Sequence, residues 1–303
     1  MAENSVMHRF VMGAAALAQP YGIANPQSSV SPNETDDLLT AAWSRGIRFI
    51  DTAPAYGEAE IRIGNWSNRT GNHFRIIGKL PIMQDIPNAE IKATVQSHIE
   101  ATCRSMRIDQ LEGYLIHNPA DFARPHVREA LAELQEKGKF GYYGLSIYQP
   151  EDAITALTLN KVGALQIPIN VFDNRLFESG LSEKCYNNDI RLFLRSVFLQ
   201  GLIFRNPDTL PAFFRPIFPK LHAFRSLSKE TGVSLSHLAL SYVLQTVRSG
   251  QVIVGCRQVS HVEELSNFME GATVNNEVIN RMHVLRNEMD VKMIDPRLWP
   301  NPS

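Results

Sequence analysis

Four side chains, a carboxylate, a phenol, an ammonium and an imidazole, stand at the ends of three successive short apolar runs. Asp51 ends Arg48-Phe49-Ile50-Asp51, with Tyr56 just beyond it in Ala53-Pro54-Ala55-Tyr56-Gly57. Lys79 ends Arg75-Ile76-Ile77-Gly78-Lys79, and His117 ends Gly113-Tyr114-Leu115-Ile116-His117. A phenol, with a pKa of about 10, is too weak an acid to protonate a developing alkoxide well at neutral pH. An adjacent ammonium favours the phenolate and lowers that pKa, and a carboxylate paired with the ammonium keeps it charged and oriented. A neutral imidazole can donate a hydrogen bond to a carbonyl oxygen as charge accumulates there. Together the four predict a carbonyl-reducing centre that lacks only a hydride donor.

Taken singly, each has a plainer role. Asp51 before Thr52-Ala53-Pro54 suits an Asx turn, His117 suits a hydrogen-bonded structural histidine, and Tyr56 suits packing. Lys79 resists such a reading, because it is one of nine lysines and follows an apolar run that should lead inward. A metal hydrolase is the rival chemistry, but only one histidine ends a run, which leaves a three-ligand zinc site poorly supported. No metal is expected.

The elements that must position these residues alternate along the chain. Apolar runs at Phe10, Arg48, Arg75, Gly113, Tyr142, Ala164, Arg191 and Val252 read as buried strands. Between them lie segments of helical period. Ser31-Pro32-Asn33-Glu34 forms a capping box with proline at the first helical position, and Gly46 closes that helix. Ile91, Val95, Ile99 and Cys103 recur every four residues, and Ser234 and Ser236 precede a further apolar helical stretch. Strands separated by helices pair in parallel. Eight of them predict an α/β fold, a (β/α)8 TIM barrel, in a single domain over residues 1–303. Val278, Met282, Leu285 and Met289 predict an extra C-terminal helix, followed by a tail. No G-x-G-x-x-G or G-x-x-x-x-G-K-[ST] motif occurs. The stretch Gly201 to Pro219, rich in Phe and Pro, reads as a long irregular loop at the barrel mouth, where active sites of this fold lie.

Composition excludes other classes. Thirty basic and 31 acidic residues give a formal charge of −1, without the field that nucleic acid or an anionic membrane surface would require. Three distant cysteines, Cys103, Cys185 and Cys256, suggest no disulfide framework and fit a reducing, cytoplasmic setting. Arg9 before Phe10-Val11-Met12-Gly13-Ala14-Ala15-Ala16-Leu17-Ala18 weakly imitates a signal peptide, and the first strand is the preferred reading. On that reading the N-x-S/T matches at Asn33, Asn65 and Asn68 carry no meaning.

The motifs resemble those of the aldo-keto reductases. They are Phe49-Ile50-Asp51-Thr52-Ala53 running into Tyr56-Gly57, Lys79, Leu115-Ile116-His117-Asn118-Pro119, Gly144-Leu145-Ser146, Gln166 to Asn170, Arg195-Ser196 through Gln200-Gly201-Leu202, and Val254-Gly255-Cys256-Arg257 leading to Glu263-Glu264. They span Gly13 to Glu264 in the family's order, closer in tone to bacterial members than to mammalian aldose reductases. The resemblance implies a barrel that binds NADPH, with NADH as the alternative, and reduces an aldehyde or ketone, sugar-derived carbonyls included. It implies Tyr56 as general acid, Lys79 and Asp51 tuning it, and His117 orienting the carbonyl. It places Ser146, Gln166 and Asn170 at the nicotinamide carboxamide, Ser196, Gln200, Gly201 and Leu202 over the pyrophosphate, and Gly255, Arg257, His261 and Glu264 at the adenosine end. Gly13 joins the cofactor set, and Arg257 is the residue for a ribose 2'-phosphate unless it merely pairs with Glu263 or Glu264. The chain departs from the family pattern at Ile147 and Leu265, where asparagine is usual. It also departs at Arg195, where many members stack an aromatic ring on the nicotinamide; Arg195 stays in the cofactor set, because a guanidinium plane can stack there too.

The expected partner is a small carbonyl compound. The competing reading is an NADP(H)-binding redox sensor resembling potassium-channel β subunits, with little turnover; the absence of an added N-terminal segment favours the enzyme. Specificity is expected in the Ala14 to Ser31 loop, the Asp121 to Pro125 segment, the 201–219 loop and a tail holding Met293, Leu298 and Trp299. Its aromatics either contact substrate or pack over the mouth.

Overall fold

Each apolar run becomes a strand. In the computed structural model, which describes residues 6–23, 29–159, 162–178, 180–247, 249–271 and 273–300, the strands are β1 (Phe10–Gly13), β2 (Phe49–Asp51), β3 (Arg75–Leu80) and β4 (Leu111–Ile116). They continue with β5 (Phe140–Ser146), β6 (Ala164–Pro168), β7 (Arg191–Arg195) and β8 (Gln251–Gly255). Every neighbouring pair is parallel and β8 pairs with β1, so the sheet closes into a (β/α)8 barrel. The segment that imitates a signal peptide begins as β1, buried along its whole length, and continues into a 3-10 turn over Ala14–Ala16. Arg9 ties its start to β8 by donating to the carbonyls of Gly250 at 2.9 Å and Val247 at 3.2 Å.

The capping signals hold. Ser31 and Glu34 complete the box on helix Pro32–Ser44, and Ser234 accepts from the His237 N–H at the start of helix Leu235–Thr246. Helix Ile91–Met106 buries Ile91, Val95 and Ile99, which face the sheet at helical spacing. Helix Val259–Glu270 follows β8 and packs back on helix Pro32–Ser44, closing the outer ring. No helix among the described residues is long and apolar enough to cross a membrane.

Two expectations need correction. The 201–219 stretch is a chain of tight 3-10 turns, Leu199–Phe204, Pro207–Thr209 and Ala212–Ile217, leading into helix Phe218–Thr231. Its prolines lack the donors needed to lengthen those turns into a helix. The extra C-terminal helix is shorter than its periodicity implied, spanning Asn276–Val284, with Leu285 as its cap residue.

One side chain from each strand fills the barrel axis. Val11, Ile77, Leu115, Tyr142, Ala164 and Phe193 form a buried cluster, completed by Phe49 and Ile253. Truncating a residue as large as Phe193 there costs about 3–5 kcal/mol. This apolar plug is the floor of the site, because strand side chains alternate and a two-residue step returns to the same face.

Candidate active site

Two residues beyond the plug, each strand presents its next inward position toward the C-terminal mouth: Gly13, Asp51, Lys79, His117, Gly144, Gln166, Arg195 and Gly255. Seven of the sequence-derived candidates thus share one ring because they share strand parity. A second step on β5 brings Ser146 above Gly144. A cavity of about 780 Å³ opens on this ring, and Tyr56, His117 and the Asp51–Lys79 pair all line it.

The polar groups are wired together. Lys79, 2% exposed, donates to Asp51 Oδ1 at 2.5 Å and to the Thr52 carbonyl at 3.3 Å. Gln166 Nε2 donates to the same Asp51 oxygen at 2.7 Å and its Oε1 accepts from Ser146 Oγ at 3.2 Å. Burial pulls the Lys79 ammonium below its ordinary value and the Asp51 carboxylate opposes that pull. Burial, with lesser contributions from the Lys79 and Arg195 charges, pushes His117 down to about 4, so its imidazole is neutral at neutral pH.

One expectation about Lys79 is overturned. Its Nζ stands 5.5 Å from the centroid of the Tyr56 ring, and among the described residues no hydrogen bond joins it to the phenol. The reason is local: Asp51 and the Thr52 carbonyl lie on the adjacent strand end, whereas Tyr56 sits beyond the turn closed by its own N–H to Ala53 O at 2.9 Å. The Tyr56 phenol is accordingly raised, not lowered. Burial is the main cause, Asp51 adds to it, and Arg195 is the cation that opposes it.

The groove fits a dinucleotide. Ser196, Leu199, Gln200 and Gly201 all have positive φ (64°, 45°, 51° and 86°), and clustered left-handed residues turn backbone N–H groups into an anion-binding concavity. Gly13 and Gly255 pair across β1 and β8. A Cβ on Gly255 would meet nothing within 4 Å, so the groove runs open past it. At its far end stand Arg257, His261 and Glu264. Of the two neighbouring carboxylates, Glu263 pairs with Arg45 at 3.0 Å, and Glu264 accepts from Ser236 Oγ at 2.9 Å. His261 Nδ1 accepts from the Arg257 backbone N–H at 3.3 Å. Gly22, at φ 82°, lies so close to Gln200 that a Cβ would stand 2.7 Å from its carbonyl oxygen, and Ile23 N–H donates to that oxygen at 3.1 Å. The first loop is thereby strapped across the groove.

Two cofactor candidates lie off the cavity wall. Asn170 is fully buried, bridged to Asp173 through the backbone, and its Oδ1 accepts from the Phe172 N–H at 3.0 Å. The Leu202 side chain is buried in the core beneath the strap. The departures have structural consequences as well: Ile147 uses its carbonyl to accept from Arg195 Nη2 at 2.9 Å, and Leu265 makes one wall of the groove apolar.

The expected specificity segments divide. Ala15, Ala16 and Tyr21 of the first loop line the cavity, while residues 24–28 of that loop lie outside the described residues. Asp121 and Arg124 instead hold the loop after β3, Asp121 by accepting from Met83 N–H at 3.0 Å and Arg124 by donating to the Ile86 carbonyl at 2.7 Å. Of the aromatics, Phe204 reaches the cavity; Phe214 packs on Phe213 and Trp299, with centroids 5.1 and 5.0 Å away. From the tail, Pro296 and Arg297 line the mouth, and Met293 is buried. Tyr148 and Arg297 were missed by sequence reasoning. Tyr148 could have been found two residues after Ser146 by strand parity, whereas nothing local marks Arg297.

The Aldo/keto reductase family model matches residues 9–286. The chain is 26% identical over 268 residues to Aldo-keto reductase YhdN of Bacillus subtilis, covering 80% of each chain. It is 25% identical over 303 residues to D-arabinose 1-dehydrogenase of Saccharomyces cerevisiae, covering 90% of this chain and 85% of that one. Its fold matches aldo-keto reductase AKR11C1 from Bacillus halodurans in its holo form, with a TM-score of 0.74 at 19% identity over 91% of both chains. It also matches glycerol dehydrogenase AKR11B4 from Gluconobacter oxydans, with a TM-score of 0.73 at 21% identity over 93% and 94%. The chain belongs to the aldo/keto reductase family, oxidoreductases that act on carbonyl and alcohol groups and bind a nicotinamide cofactor.

Proposed function

We propose that the protein reduces an aldehyde or ketone to an alcohol, with Tyr56 as the proton donor and NADPH preferred over NADH. A bound reduced nicotinamide supplies the hydride. The observation that carries the reading is the single cavity onto which Tyr56, neutral His117, the Asp51–Lys79 pair and a left-handed run of backbone amides all open.

His117 donates a hydrogen bond to the substrate oxygen, which it can do as a neutral imidazole, and so holds the carbonyl beside Tyr56. Tyr56 gives its Oη proton to that oxygen as the carbon accepts hydride, leaving a phenolate that is reprotonated through the open mouth. The Asp51–Lys79 pair holds the start of the turn by way of the Thr52 carbonyl. Ser146 and Gln166 hold the carboxamide, the Ser196–Gly201 amides the pyrophosphate, and Arg257 a ribose 2'-phosphate through its guanidinium fork. Asn170 and Leu202 act only by supporting these residues.

A panel of aldehydes and ketones, with loss of the nicotinamide absorbance followed under saturating NADPH, tests the reading. Carbonyl-dependent NADPH oxidation at ordinary enzymatic rates is expected. Tight NADPH binding without turnover on any member would favour the redox-sensing alternative.

A further inference from the structure

The charges lining the catalytic end of the cavity do not balance. Lys79 is matched by Asp51 at 2.5 Å. Arg297 is matched by Asp295, whose two oxygens accept from its Nε at 2.9 Å and its Nη2 at 2.6 Å. Arg195 is different. Its Nη2 and Nη1 donate to neutral acceptors, the Ile147 carbonyl at 2.9 Å and Ser196 Oγ at 3.2 Å. Its Nε is buried without a partner, and among the described residues it forms no ion pair. It also lies over an aromatic ring: its guanidinium carbon is 3.9 Å from the centroid of the Tyr148 ring, and that of Arg297 is 3.4 Å from the same ring. The Arg195–Tyr148–Arg297 stack stands at the mouth of the cavity that Tyr56 and His117 line.

A partly buried guanidinium with an unpartnered Nε and no direct ion pair among the described residues is costly, and stacking offsets only part of that cost. A nicotinamide ring brings no compensation, being neutral when reduced and cationic when oxidised. The cofactor's phosphates are accounted for by the left-handed amide run and Arg257. The missing negative charge therefore arrives with the other ligand. We propose that the substrate carries an anionic group, a carboxylate or a phosphate, on the same small molecule as its carbonyl, and that Arg195 receives that group with Arg297 beside it. A fixed planar fork suits either oxyanion better than a flexible ammonium would. This rests on the reductase reading above and names the class of substrate within it.

Two matched pairs test the proposal in the NADPH-loaded enzyme: succinic semialdehyde against its methyl ester, and glyceraldehyde 3-phosphate against glyceraldehyde. At least one anion is expected to exceed its neutral partner in kcat/KM by about tenfold or more, the size of one buried charge-assisted contact; which pair responds identifies carboxylate or phosphate. Arg195→Gln should bring that ratio close to one, chiefly by raising KM for the anion, while Arg195→Lys keeps part of it. Because the neutral partner is measured on the same variant, a general loss of function cancels from the ratio. Calorimetry with succinate and with inorganic phosphate gives a readout free of turnover: binding of one by wild type, weakened about tenfold by Arg195→Gln, is expected. Neutral carbonyls reduced as well as or better than both anions would overturn the proposal. Failure to reduce any of the four, alongside anion binding that depends on Arg195, would sink the reductase reading and leave the anion site standing.

Discussion

Replacing Asp51 by Asn would strip the counter-charge from an ammonium that is 2% exposed, while keeping the shape of the side chain. Among the described residues Lys79 Nζ has only the Thr52 carbonyl at 3.3 Å as a further hydrogen-bond partner, so the variant leaves a nearly unmatched buried cation. Breaking a buried pair from one side costs about 3–5 kcal/mol. Lys79→Met leaves the Asp51 carboxylate with the Gln166 amide at 2.7 Å as its remaining donor and should cost a similar amount. In the double variant neither charge remains, and the cost should fall to about 1–2 kcal/mol, because an uncharged pair of similar volume has nothing to desolvate. At about 2.1 cal/mol/K of unfolding entropy per residue, a chain of this length loses about 6 °C in Tm for a 4 kcal/mol single substitution. Urea unfolding followed by circular dichroism, with thermal scans alongside, measures the three variants. A double variant whose loss equals the sum of the single losses would refute the claim that Lys79 is committed to Asp51.

Other consequences follow from single contacts. His117, held down to about 4 against an unfolded value near 6.5, contributes stability that is complete above about pH 6.5 and disappears as pH falls through about 4. His117→Gln should therefore flatten the loss of stability across that window by about 1–2 kcal/mol once partial exposure is discounted, as urea midpoints at several pH values will show. Arg257→Ala should raise the dissociation constant for NADPH by about tenfold or more while changing that for NADH little; equal effects would remove Arg257 from the 2'-phosphate. Gly255→Leu, entering a groove where a Cβ meets nothing within 4 Å, should weaken cofactor binding severely yet shift the urea midpoint little, and unchanged cofactor affinity would show that the groove lies elsewhere.

Most of the fold and the inner ring of the site were legible because both obey strand parity. Phe49 to Asp51, Ile77 to Lys79, Leu115 to His117 and Ala164 to Gln166 are each a step of two from plug to mouth, and short apolar runs ending in polar residues report that directly. What sequence could not settle was partner choice among groups brought to one place. Lys79 is close in sequence terms to both Asp51 and Tyr56; the adjacent strand end won because its carboxylate and carbonyl lie within hydrogen-bond reach and the phenol, carried off by the 53–56 turn, does not. Arg195 was legible only as a departure from an aromatic position. It shares the Tyr148 ring with Arg297, about a hundred residues further along the chain, and no local pattern announces a contact of that kind. The 201–219 stretch failed for the opposite reason: its prolines read as irregularity when they were punctuating tight turns.

Carbonyl reduction at this site turns on the phenolic proton of Tyr56. NADPH oxidation by wild type and Tyr56→Phe, measured with the same carbonyl at cofactor saturation and paired with a fluorescence titration of NADPH, addresses it directly. The expected result is a loss of about a hundredfold or more in kcat, with the NADPH dissociation constant unchanged within about twofold, since the phenol donates to the substrate and not to the cofactor. A phenylalanine variant that keeps most of its turnover would contradict the account.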